Sequence, residues 1–96
     1  MSCGSTPEEY NILTVAWTGT ICTNPPMCYI SVRPERYSYD IIKRNMEFVI
    51  NLTTKEMAHA TDWCGVRSGR NHDKFKRKFA GVKLRGQVGV YLEMAR

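Results

Sequence analysis

With 96 residues, 43% of them hydrophobic and 24% charged, the chain has the composition of one small globular domain, which excludes disordered, collagen-like and low-complexity classes. It holds no apolar run near the roughly 20 residues a membrane helix needs, and Met1-Ser2-Cys3-Gly4-Ser5 lacks the basic and apolar regions of a secretory signal, so a cytoplasmic location is predicted. The net charge of +5 is unevenly placed: residues 1–66 carry five Lys/Arg against seven Asp/Glu, and residues 67–96 carry nine against two.

In chain order, Asn11 to Thr23 (NILTVAWTGTICT) is rich in β-branched residues and has no helical period, which predicts a strand with Gly19 as a bulge or close-approach point. Asn24-Pro25-Pro26 interrupts it, because a residue before proline is driven out of the helical region. Met27 to Arg33 alternates apolar and polar and predicts a second strand that stops at Pro34. Ser38 is placed to cap a short helix through Lys43. Glu47 to Leu52 predicts a third strand. Thr53 and Glu56 have the spacing of a capping box, behind which Met57, Ala60, Thr61 and Cys64 share one face of a helix closed by Gly65. Asn71 is predicted to cap a basic helix to about Phe79, and Val82 to Met94 to form a last strand. The order β-β-α-β-α-α-β predicts a β-rich α+β fold, a small barrel decorated by short helices rather than a parallel βαβ sheet.

Three segments carry candidate chemistry. In YISVRPERYSYDII (Tyr29 to Ile42) a strand delivers Ser31 and Arg33 to its end, and Arg36 and Ser38 follow at a helix start. Guanidinium forks, hydroxyls and free helix N–H groups converging on one point are what a phosphate monoester requires, although a strand end with surface arginines has the same spacing. In LTVAWTG (Leu13 to Gly19) small residues alternate with larger ones and Trp17 offers an aromatic wall; the segment suits a flat ligand, while Ile12 and Val15 suit the core. The loop Cys64 to Arg70, followed by Lys74, again suits an anion. The four cysteines show no C-x-x-C spacing and no zinc pattern with His59 or His72, so free thiols and no metal site are expected. Cys64 with His72 lacks a third orienting group, and no catalytic side chain is assigned.

Taken in order from about Asn11 to Phe75, NILTVAWTGTICTNPPMCYISVRPERYSYDIIK, EFVINL and DWCGVRSGRNHDKF resemble the flavin reductase-like proteins, the FMN-binding split-barrel family that includes flavoredoxins. The resemblance implies a split β-barrel that binds FMN non-covalently, as a homodimer, and passes electrons between NAD(P)H, the flavin and an acceptor. It implies that Thr14, Ala16 and Trp17 lie against the isoalloxazine ring. Ser31, Val32, Arg33, Arg36 and Ser38 would belong to the segment that holds the ribityl phosphate. Asn51 would stand near the flavin, and Ser68, Gly69 and Lys74 would approach the phosphate side. Residues 1–96 then form a single partial domain, an apparently truncated member whose barrel lacks closing strands, with 76–96 a basic tail that departs from the family pattern. Two alternatives stay open. One is an inactive flavoprotein fragment. The other is a small nucleic-acid-binding module that uses the basic end and the aromatics Trp17, Tyr29, Tyr37 and Tyr39.

Overall fold

The computed structural model describes residues 1–77 and, as backbone, the pair 90–91. Among the described residues there are six strands and two helices: β1 (Ser2–Cys3), β2 (Asn11–Ile12), β3 (Thr18–Thr23), β4 (Pro26–Ile30), α1 (Tyr37–Asn45), β5 (Glu47–Phe48), α2 (Ala58–Val66) and β6 (Val90–Tyr91). A single 3-10 turn, Lys55–Met57, leads into α2. All strand pairs are antiparallel. β1 pairs with β2 in the register Cys3 opposite Asn11, and an isolated bridge from Ser2 to Val49 brings the end of β5 to the other side of β1. β6 extends that ribbon by pairing Val90 with Phe48. The β3–β4 hairpin stands apart, with Thr18 opposite Ile30 and Thr23 opposite Pro26.

The expected strand from Asn11 to Thr23 is therefore two strands. Past Ile12 the β1–β2 register continues for one more residue, with the Leu13 N–H donating to the Met1 carbonyl and the Met1 ammonium to the Leu13 carbonyl, and a tight turn then closes from Thr18 N–H to the Ala16 carbonyl. Gly19 is the close-approach point, since a Cβ there would stand 2.9 Å from the Tyr29 ring. The bulge falls two residues later, between Thr20 and Cys22. The second strand ends at Ile30, three residues before the expected Arg33.

Helix α1 starts one residue before Ser38. Arg36 is the extended N-cap and provides no side-chain cap, so Ser38 lies within the first turn and its hydroxyl is turned inward. The helix ends on Met46 in the left-handed region (φ 56), with its N–H returned to Ile42. The third strand shortens to Glu47–Phe48, and the predicted capping box does not form. Thr54 is the N-cap of the 3-10 turn, and the Glu56 carboxyl is held below its ordinary range by its own backbone N–H and then by the Thr54 hydroxyl. In α2 the predicted face is the inner one, with Ala60 and Cys64 buried and Met57 and Thr61 half-buried. Gly65 does not close this helix, which runs to Val66. Its missing Cβ instead admits Thr14, whose Cβ would lie 3.2 Å from an added methyl. The expected basic helix from Asn71 is a run of turns through Arg77, and residues 78–79 of it lie outside the described residues, as does most of the expected strand over 82–94.

The core is compact and small. Cys3, Ile41, Ile42 and Phe48 are buried together, and Ile30, Val32, Tyr37 and Ile50 pack against them. A polar brace ties the loop before β2 to the end of α1: Glu9 accepts from Asn45 Nδ2 and the Ser5 N–H and pairs with Arg44 at 3.3 Å. The hairpin leaves Ile21, Met27 and Tyr29 exposed beside Trp17, which is 61% exposed. All four cysteines are free thiols. Among the described residues no helix is long and apolar enough to cross a membrane.

Candidate functional site

A groove of about 620 Å³ runs between the segment Ile12 to Val15, the segment Ile50 to Thr53 and the inner face of α2. Its walls are mainly aliphatic, as the sequence of these three segments dictates. Thr14 Oγ1 donates to the Thr61 carbonyl, which with the Gly65 contact fixes α2 against the chain after β2. Asn51 reaches the groove from the far side, with its Nδ2 donating to Ser2 Oγ at 3.2 Å.

A second, polar cleft of about 180 Å³ lies between Glu35 to Ser38 at the start of α1 and Gly65 to Arg70 after α2. Four cations, Arg36, Arg67, Arg70 and Lys74, line it against one carboxylate, Glu35. Ser38 is 1% exposed and accepts from Asn11 Nδ2 at 2.7 Å. Asn11, itself buried, offers its backbone carbonyl to the Cys3 thiol, which burial pushes up against the opposing effect of Ser38. Gly69 is required by this packing, because a Cβ would fall 2.5 Å from Asn11 Oδ1 and closer still to the Tyr37 ring. Arg70 ties the two walls: its N–H donates to Ser68 Oγ, its Nη2 donates to the Glu35 carbonyl at 3.1 Å, and its guanidinium lies 5.9 Å from the Tyr37 ring centroid. By contrast, the side chains of Arg36 and Arg67 have no ion pair or hydrogen bond to another described residue.

Lys74, together with Leu13, forms the wall that the two cavities share, and the lysine is its charged member. It is 2% exposed, and its ammonium donates to the carbonyls of Ile12 and Cys64, both at 2.7 Å. The Cys64 carbonyl is among the last four of α2, which have no partner within the helix, so Lys74 caps that end and matches the dipole there. Burial holds its pKa below the ordinary 10.5, opposed chiefly by Cys64.

The structure thus brings Arg36, Ser38, Ser68, Gly69 and Lys74 to the polar cleft, and Thr14 and Asn51 with Lys74 to the apolar groove. Five expected residues line neither cavity. Ala16 and Trp17 face outward on the turn before β3, Ser31 is exposed, and Val32 packs on the core. Arg33 is bound to the Glu35 carboxylate. Asn11, Glu35 and Arg67 line the cleft without having been singled out as site residues. For Asn11 the available signal was a polar side chain opening a run of aliphatic and β-branched residues. For Arg67 it was its place in the Gly/Ser/Arg loop.

Short antiparallel strands with two helices define an α+β protein in which a cationic cleft adjoins an apolar groove. The sequence profile of the flavin reductase like domain matches residues 1–92, and the chain belongs to that family. Flavoredoxin of Desulfovibrio vulgaris (Miyazaki F) shares its fold with a TM-score of 0.70 and 31% identity, over 77% of this chain and 40% of that one. An uncharacterized protein of Pyrococcus abyssi is 27% identical over 77 residues, 80% of this chain and 42% of the relative. The chain therefore spans about two-fifths of the length of both.

Proposed function

We propose that this chain binds FMN, with the ribityl phosphate in the polar cleft and the isoalloxazine ring along the apolar groove, as part of a split-barrel flavin reductase-type protein. One observation carries the reading: Lys74 walls both cavities, so a groove that suits a flat apolar ring adjoins a cleft whose cations exceed its carboxylates. Family membership supports the flavin as the ligand that joins those two chemistries. Arg36 and Arg67, on opposite walls and without a side-chain partner among the described residues, would grip the phosphate, with Ser38, Ser68 and the backbone at Gly69 adding short contacts. Lys74 would hold a fixed positive charge at the junction. The flavin, when bound, supplies two-electron chemistry between NAD(P)H and an acceptor, and the chain's own residues bind it, orient it and limit access.

The exposed apolar residues of the β3–β4 hairpin, with Trp17 beside them, support a homodimer in which a second copy covers this face.

Visible absorbance and flavin fluorescence on adding FMN test the reading. A bound, quenched and spectrally shifted flavin is expected. Arg36→Ala is expected to weaken FMN about tenfold or more, in line with the loss of one charge-assisted fork, while riboflavin, which lacks the phosphate, changes little. Unquenched FMN in the presence of excess protein would refute flavin binding, and equal losses for both ligands would refute the placing of the phosphate.

A further inference from the structure

We infer that Glu35 is the charge filter of the polar cleft, and that Arg33 acts on a bound anion only through Glu35, by neutralising its carboxylate. The inference rests on the proposed anion-binding role of this cleft and changes the part Arg33 plays in it.

Glu35 is the one carboxylate among the residues that line the cleft. An ionised carboxylate has no proton to donate, so it offers a phosphate oxygen no bond and its charge opposes that of the anion. Its position is not left to chance. The Glu35 carbonyl is held by Arg70, and the turn around it is closed by the Arg36 N–H on the Arg33 carbonyl. Arg33 itself lines neither cavity; its guanidinium is committed to the Glu35 side chain. Among the described residues, the two cleft cations without such commitments are Arg36 and Arg67. Arg33 is thus a positioning and neutralising residue, and the phosphate ligands are elsewhere.

Both members of the pair are 57% exposed, so as a stability element the pair contributes little. Its consequence for a dianion is larger. With Arg33 removed, the Glu35 carboxylate loses its counter-charge at the edge of the cleft, and at low ionic strength this is expected to weaken a bound dianion by about threefold to tenfold.

The test titrates wild type, Arg33→Ala, Glu35→Gln and the double variant with inorganic phosphate, followed through the amide NMR signals of Ser68 and Gly69, and in parallel with FMN and riboflavin. Arg33→Ala is expected to weaken phosphate and FMN about threefold to tenfold and to leave riboflavin and the unfolding midpoint unchanged. The double variant is expected to return to within about twofold of Glu35→Gln. A double variant as weak as Arg33→Ala would place Arg33 directly on the anion and overturn the inference. So would an Arg33→Ala protein that binds phosphate like wild type, or a wild type that binds none. If the phosphate series behaves as expected and FMN does not bind, the charge filter stands and the flavin reading falls.

Discussion

Replacing Lys74 by methionine keeps the length of the side chain and removes its charge and its donors. The ammonium serves two carbonyls, Ile12 in β2 and Cys64 at the end of α2, at 2.7 Å each and with 2% exposure. Without it both oxygens lie behind an apolar side chain, and a buried acceptor left unmet costs about 1–3 kcal/mol. The Cys64 oxygen also loses the cation bonded to it at the helix terminus, worth about 0.3–1 kcal/mol. Against these losses stands the relief of no longer burying a charge, which in real proteins amounts to several kcal/mol per ion. The losses act at two sites while the relief is partial, because the ammonium keeps two strong acceptors. The expected net effect of Lys74→Met is therefore a destabilisation of about 1–3 kcal/mol. Urea unfolding at neutral pH measures it, and an unchanged slope would show that the folded state has not otherwise altered. Loss of the staple should also free the last turn of α2, seen as faster amide exchange at Arg67, whose N–H bonds to Trp63. A variant as stable as wild type or more so would refute the reasoning, by showing that the buried charge costs more than its two bonds return.

Three further outcomes follow from the same contacts. Burial raises the Cys3 and Cys64 thiols above their ordinary 9.0, so the unfolded chain releases these protons first. The corresponding stability is whole below about pH 9 and is lost as pH rises through the raised folded values, and Cys3→Ala should flatten that alkaline decline in urea midpoints. Glu9 is held below its ordinary 4.5 by Asn45 first and then by the Ser5 N–H. Its contribution is present above that value and lost as pH falls through the depressed one, so Glu9→Gln should lower the neutral midpoint and leave the acid limb shallower. Gly69→Ala should destabilise by about 1–3 kcal/mol through overpacking, since its Cβ meets Asn11 and Tyr37, whereas Gly65→Ala, with 3.2 Å to Thr14, should cost visibly less in the same unfolding assay.

How much of this was legible depends on whether the signal was local. The inner face of α2 could be read because Met57, Ala60, Thr61 and Cys64 repeat at a helical interval, and burial follows that interval. The hairpin could be read because Pro25-Pro26 breaks two β-rich runs. What could not be read is where long-range partners override local preference. Ser38 has the residue type of an N-cap, yet Asn11, 27 positions away, takes its hydroxyl inward and leaves the cap to Arg36. Gly65 has the residue type of a helix stop, yet it is there to admit Thr14. The run from Asn11 to Thr23 divides because its two ends have different partners, Leu13 exchanging bonds with Met1 in the register of β1 and Thr18 pairing with Ile30 in the hairpin, and no window around Leu13 contains either.

The candidate site shows the same division at the level of charge. Arginine-rich spacing in VRPER and GVRSGR marks both loops as anion-facing, and the fold does bring them to one cleft. Spacing alone treats Arg33, Arg36, Arg67 and Arg70 as equivalents, whereas the fold gives them different tasks. Arg70 braces the walls through the Glu35 carbonyl and the Tyr37 ring, and Arg33 answers the Glu35 carboxylate. Arg36 and Arg67 keep their donors for something outside the described chain. A cation already matched by a carboxylate adds little field at the cleft, and one without such a partner adds its full charge. Under the proposed reading, the residues that would bind the anion are therefore those whose guanidinium groups have no partner among the described residues, and only the assembled cleft contains that information.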